Sequence, residues 1–130
     1  MTVSYNANDP IEVVAWEDTG LVLMARVLGA SGAVVTQATL DSITAKVLDR
    51  DDDSLVATLT VTIADVVFDT LQTADPRWTA DTVGYNFLHA IPATALPSPN
   101  KEYRVGYLFT PSSGQPFGMA VDVSTRRLLP

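Results

Sequence analysis

Cysteine is absent from the 130-residue chain and histidine occurs once. Without thiols there are no disulfides, no thiolate-bound metal and no thiol nucleophile. A lone imidazole, His89, is a poor basis for a zinc site, and any Ser-His-Asp arrangement has to use it. Long apolar runs are also missing: no stretch approaches the roughly 20 residues that a membrane-spanning helix requires. There is no glycine-rich phosphate loop, no dinucleotide fingerprint and no internal repeat. No amphipathic run is long enough for a major helix. Basic residues are scarce, 8 against 15 acidic ones, giving a net charge of −7. An acidic chain of this kind is ill suited to gripping a nucleic-acid backbone. The segment Met1–Pro10 lacks the basic start and apolar core of a secretory signal. With no cysteines, that leads to the expectation of a protein made and folded in a reducing cytoplasm.

What the chain does contain is alternation. Tyr103, Val105, Tyr107 and Phe109 occupy every second position, and after Pro111-Ser112-Ser113-Gly114 the pattern resumes with Phe117, Met119, Val121 and Val123. Side chains on a strand point alternately to opposite faces, so these runs predict a hairpin with one buried face. Strands are also expected over Leu21–Leu28, over Ser42–Asp49 and over Leu55–Ile63. A further strand from Gly84 places Tyr85, Phe87, His89 and Ile91 on one face. Val66–Phe68 reads as a short strand and Asp69–Ala74 as a helical turn or loop. Ile11–Trp16 is a short apolar stretch ended by the turn-rich Glu17–Gly20. The total is seven or eight short strands with turn signals at intervals of roughly ten residues, the pattern of an antiparallel β-sandwich. One domain is expected, with a core over about residues 11–123 and extended arms at 1–10 and 124–130.

Charge is distributed unevenly. Residues 41–81 hold nine acids and three bases, whereas residues 82–130 hold two acids against Lys101, Arg104, Arg126 and Arg127. An acidic middle and a basic end are compatible with docking onto copies of the same chain or onto a charged partner, or simply with a solvated surface.

Few residues have the context of a site. His89 lies in phase with apolar neighbours, which favours a satisfied core or edge histidine over a catalytic one. Asp49, Asp51 and Asp53 match the first three ligand positions of a calcium loop, but Ser54 stands where the sharp-turn glycine belongs and Thr60 where the closing glutamate belongs. An acidic turn capping a hairpin is the competing reading. Trp78, in a polar loop beside Arg77, is the one aromatic placed like an exposed binding residue, with a lid over the end of the sandwich as its alternative. Arg126 and Arg127 complete the candidate binding residues. Paired carboxylates are plentiful, yet none sits in an acid/base context. No catalytic residue, resident metal or cofactor is assigned.

Two segments carry resemblances. Pro99-Asn100-Lys101-Glu102-Tyr103-Arg104-Val105 resembles the corner before the penultimate strand of immunoglobulin-like and fibronectin-like sandwiches, where a tyrosine hydroxyl ties back to upstream backbone. The combination of Gly20–Val27 and Gly32, Trp78–Asp81 and Gly84–Phe87, with Tyr103–Thr110 and Gly114–Phe117, resembles immunoglobulin-like β-sandwich structural proteins of tailed phages. It is similar to the N-terminal domains of upper-baseplate proteins, over most of residues 20–123. The resemblance implies a non-enzymatic virion part (head decoration, neck, tail or baseplate) that assembles in the host cytoplasm. Its implied partners are other virion proteins and copies of itself, with neither nucleic acid nor membrane. A carbohydrate-binding sandwich module is the alternative.

Overall fold

The computed structural model describes residues 2–3, 11–29 and 31–130. Among these residues, nine strands form two sheets. They are β1 (Thr2–Val3), β2 (Ile11–Trp16), β3 (Leu21–Ala25), β4 (Leu40–Asp49), β5 (Leu55–Leu59), β6 (Val67–Gln72), β7 (Tyr85–Ile91), β8 (Glu102–Pro111) and β9 (Phe117–Arg126). One sheet has the order β1-β3-β7-β6 and the other β2-β9-β8-β4-β5. The protein is therefore an all-β sandwich.

The terminal hairpin is the best-patterned part. β8 and β9 pair antiparallel with Tyr103 opposite Val123, Val105 opposite Val121 and Tyr107 opposite Met119. All six of these side chains are buried, whereas the intervening Leu108, Gly118 and Glu102 are exposed. β4 lies on the other side of β8, bringing Val47 beside Val105 and Ile43 beside Phe109. Alternation in three adjacent strands thus gives one continuous apolar face, which the second sheet covers with Leu21, Leu23, Ala25, Phe87 and Ile91. Aromatic rings join the layers, Phe87 meeting Tyr107 edge-on at 5.3 Å and Phe109 at 5.7 Å, while within the five-stranded sheet Phe109 stacks on Phe117 at 5.1 Å. Each of the large buried groups contributes about 1.5–3 kcal/mol by leaving water.

The expected tyrosine corner is present. The Tyr103 hydroxyl accepts a hydrogen bond from the Ser98 backbone N–H at 3.2 Å. Beside it the fully buried Thr125 donates to the Ser98 carbonyl and accepts from the Lys101 N–H. The crossover from β7 to β8, which includes the buried Leu96, is held by these two side chains.

Several boundaries differ from the sequence reading. The strand expected over Leu55–Ile63 stops at Leu59, and Ile63–Val66 forms one helical turn as the chain crosses to the other sheet. The turn resets the side-chain phase, so the adjacent Val66 and Val67 are both buried. Residues 69–72, expected as helical turn or loop, belong to β6. The C-terminal arm is shorter than expected, because Ser124, Thr125 and Arg126 belong to β9, which is held between β2 and β8. At the N-terminus, Thr2–Val3 pairs parallel with β3, while the rest of the expected arm lies outside the described residues.

Candidate functional site

The outer side of the four-stranded sheet is roofed by its own chain. Met24, Trp78 and Tyr85 form a second buried cluster with Val22, Phe68 and Leu88 packed against it. Trp78 is only 8% exposed, its ring 5.6 Å from Tyr85, which in turn meets Phe68 edge-on at 5.7 Å. This corrects the assignment of Trp78 to binding: its indole covers an outward apolar face and offers no free surface. Tyr85 also departs from expectation, clustering with Trp78 rather than sharing the main core with Phe87. Gly84 precedes it at φ +108, where a Cβ would lie 2.5 Å from the Gln72 carbonyl oxygen, and that tight backbone approach accompanies a register break between β6 and β7.

Asp81 organises the roof. One oxygen accepts from the N–H groups of Val83 and Gly84 and from the Trp78 indole, and the other meets Arg26 at 2.7 Å. The Gly84 amide first, then Arg26, hold this carboxyl well below its ordinary value, at about 2. Next to it Asn86, 1% exposed, bonds the backbone of Val27 twice and the Val35 carbonyl once, tying the loop after β3 to the sheet.

The acidic turn does not form a cation cage. Asp49 accepts the Asp51 N–H through one oxygen, and through the other it meets the Lys101 ammonium at 3.1 Å. Asp51 lies 3.7 Å from the same ammonium. Asp53 instead takes a left-handed conformation, φ 60, and its N–H closes the turn on the Asp49 carbonyl. Of the two readings of Asp49, Asp51 and Asp53, the geometry is that of the acidic turn capping a hairpin, here paired with a lysine. No group of three metal-ligating side chains occurs among the described residues.

His89 is buried, and its Nδ1 shares a 2.7 Å hydrogen bond with the Tyr107 hydroxyl. Burial pushes the imidazole below its ordinary value and the phenol above its own. The pair is a satisfied polar contact between the two sheets, as expected for His89 from its phase with apolar neighbours.

The outer side of the five-stranded sheet is different in kind. Its one buried charge is Asp122, held by Arg104 through two bonds of 2.7 and 3.0 Å and by Arg50 at 3.4 Å. This hub floors a polar groove of about 470 Å³ between β2 and β8, with Glu12, Glu102 and Ser124 on its walls. At the rim of the groove and past it, apolar groups stand in solvent. Val14 and Trp16, two apart on β2, are 53% and 51% exposed, and Leu108 is 47% exposed. Arg126 is the register partner of Trp16. The exposed tail follows, with Arg127 solvent-facing and the Leu128 N–H directed at Glu17. Of the candidate binding residues, the structure thus brings Arg126 beside Trp16, with Arg127 next in the exposed tail, and places Trp78 elsewhere.

A second concavity, about 330 Å³, opens at the end where the loops after β3 and after β8 meet. It is lined by Val34, Val35, Leu40 and Phe117, with Ser113 and Gln115 at its mouth. No ionisable side chain lines it, so it offers shape and apolar contact but no acid/base chemistry. Sequence reasoning missed Asn86, Asp122 and the exposed side of β2. The signal for β2 was the pairing of Val14 with Trp16 at a spacing of two; nothing local marked Asn86 or Asp122. No known family model and no curated protein sequence matches the chain.

Proposed function

We propose that this protein is a non-enzymatic structural or accessory part of a tailed-phage particle, joined to other virion proteins and to copies of itself by protein–protein contacts. The observation that carries this reading is the bare apolar strip of Val14 and Trp16 on an edge strand, beside Arg126, with Leu128 and Leu129 exposed in the tail that follows. Clustered apolar groups with no intramolecular cover are the mark of a docking surface. An immunoglobulin-like kinship is supported by the strand order. Matching β3, β4, β6, β7, β8 and β9 to strands B, C, D, E, F and G places B, E and D in one sheet and C, F and G in the other. The Tyr103 corner adds to that support; the parallel pairings of β1 with β3 and of β2 with β9 stand apart from a wholly antiparallel pattern.

The carbohydrate-binding alternative relied on Trp78, whose indole is covered. Among the described residues Trp16 is the one well-exposed aromatic, which is too few for a stacking platform. The virion reading is tested by mass spectrometry of purified particles from a host carrying the gene. The chain is expected in fixed stoichiometry with the capsid and tail proteins, and a Trp16→Glu variant that still folds is expected to be depleted. Particles that lack the wild-type chain would overturn it.

A further inference from the structure

The four strands at the sheet margins are not equivalent. β1 has two residues. β5 follows the acidic turn, and its pairing with β4 is broken by a register shift at Val47/Leu48. β6 has a register break with β7, and Gln37 lies along it, its Nε2 donating to the Val67 carbonyl and its N–H bonding Asp69. Short length, bulges, charge and cover are the devices by which sheet edges avoid pairing with other chains. Among the described residues β2 shows no bulge and no covering segment, and its one charged residue is Glu12. Its six residues keep an unbroken register with β9, from Ile11–Val121 to Trp16–Arg126, and it carries no lysine.

Ladder geometry gives the free groups of that edge. In a parallel pair, alternate residues bond to the neighbouring strand. The Glu17 N–H donates to the Arg126 carbonyl at 2.9 Å, which sets the phase. Val13 and Ala15 therefore bond inward with Glu17, and the backbone groups of Glu12, Val14 and Trp16 point away from β9. The Trp16 carbonyl accordingly receives the Thr19 hydroxyl at 2.8 Å and keeps a second lone pair.

We infer that β2 pairs antiparallel with β2 of a second copy about a two-fold axis at Val14, joining two five-stranded sheets into one. This phase is self-complementary. Val14 meets Val14 of the other copy and exchanges both backbone hydrogen bonds with it, and Glu12 does the same with Trp16 at each end. All three outward residues are then satisfied, which an isologous interface demands. Charge agrees with the register. Glu12 takes part in none of the ion pairs among the described residues, and each copy's Glu12 arrives opposite Trp16, one strand from Arg126. The inference goes beyond the proposed function and rests on the edge alone, so a dimer outside any particle still supports it.

Sedimentation equilibrium of the purified chain is expected to give twice the monomer mass. Val14→Pro removes an N–H that faces away from β9, so the variant keeps the wild-type circular-dichroism spectrum while its mass halves. Val13→Pro removes an inward bond and is expected to lower the thermal midpoint instead. Because the chain has no cysteine, Val14→Cys supplies a unique probe. A short bismaleimide is expected to link Val14→Cys copies in high yield and to leave Leu108→Cys copies single, and this comparison decides the matter should the proline variant not fold. A wild-type chain that stays monomeric up to about 1 mM, a folded Val14→Pro dimer, or equal cross-linking at positions 14 and 108 would each overturn the inference.

Discussion

On the four-stranded sheet, the outward side chains of Val22, Met24 and Leu88 are covered by Trp78, Tyr85 and Phe68. On the five-stranded sheet, the outward Val14, Trp16 and Leu108 are each about half exposed, and the one buried group is the charged Asp122 with its arginines. Both sheets contribute their inner faces to the same core, so the difference lies wholly outside it. A roofed apolar face contributes to folding stability; a bare one contributes little and is accounted for by what docks there. The chain holds two tryptophans, one on each side, which makes the contrast testable residue by residue.

The largest effect is expected at the roof. Trp78→Ala should cost about 3 kcal/mol or more in urea unfolding, since it empties a packed cluster. Equal losses for Trp78→Ala and Trp16→Ala would break the distinction between the faces. Next, Asn86→Ala should cost about 2 kcal/mol, because it leaves the buried Val27 and Val35 backbone groups without partners. A smaller loss of about 1 kcal/mol is expected for Tyr103→Phe, which removes only the hydroxyl tie to Ser98.

A pH effect separates the inner polar contact from both outer faces. Burial lowers the pKa of His89 in the folded protein below its ordinary 6.5. Below pH 6.5 the unfolded chain therefore binds a proton that the folded chain resists, and stability falls as the pH drops from 6.5 toward the folded pKa. Above pH 6.5 this contribution is fully present. Thermal midpoints between pH 7 and 5 should show the slope, and His89→Gln should flatten it; an unchanged slope would place its origin in other groups. Trp16→Ala is expected to have the smallest effect, within about 0.5 kcal/mol, as for other surface substitutions.

The parts legible in the sequence are those whose partners are near in the chain. Tyr103–Phe109 and Phe117–Val123 gave their hairpin and its buried face because alternation on both arms is read through one short loop. The Tyr103 corner was legible for the same reason, its partner Ser98 being five residues away. Ile11–Trp16 was seen only as an apolar stretch, because its partner β9 lies more than a hundred residues on and a parallel pairing has no hairpin signal. Trp78 was misplaced because Asp75-Pro76-Arg77 and Thr79-Ala80-Asp81 are polar in composition, whereas its burial depends on Met24 and Tyr85 across the sheet. The unbroken apolar run Leu21–Ala25 held the missing signal: a strand apolar on both faces needs a cover on each. The calcium-like spacing of Asp49, Asp51 and Asp53 left two readings open because spacing does not reveal Lys101, which reaches the turn from the segment just before β8.

Acrylamide quenching of the two single-tryptophan variants tests the contrast between the faces most directly. With Trp78→Phe, the remaining Trp16 should be quenched strongly in dilute solution and become shielded as the protein is concentrated. With Trp16→Phe, the remaining Trp78 should be quenched weakly at every concentration. Strong quenching of Trp78, or a Trp16 signal shielded equally at all dilutions, would contradict the assignment of one side to folding and the other to docking.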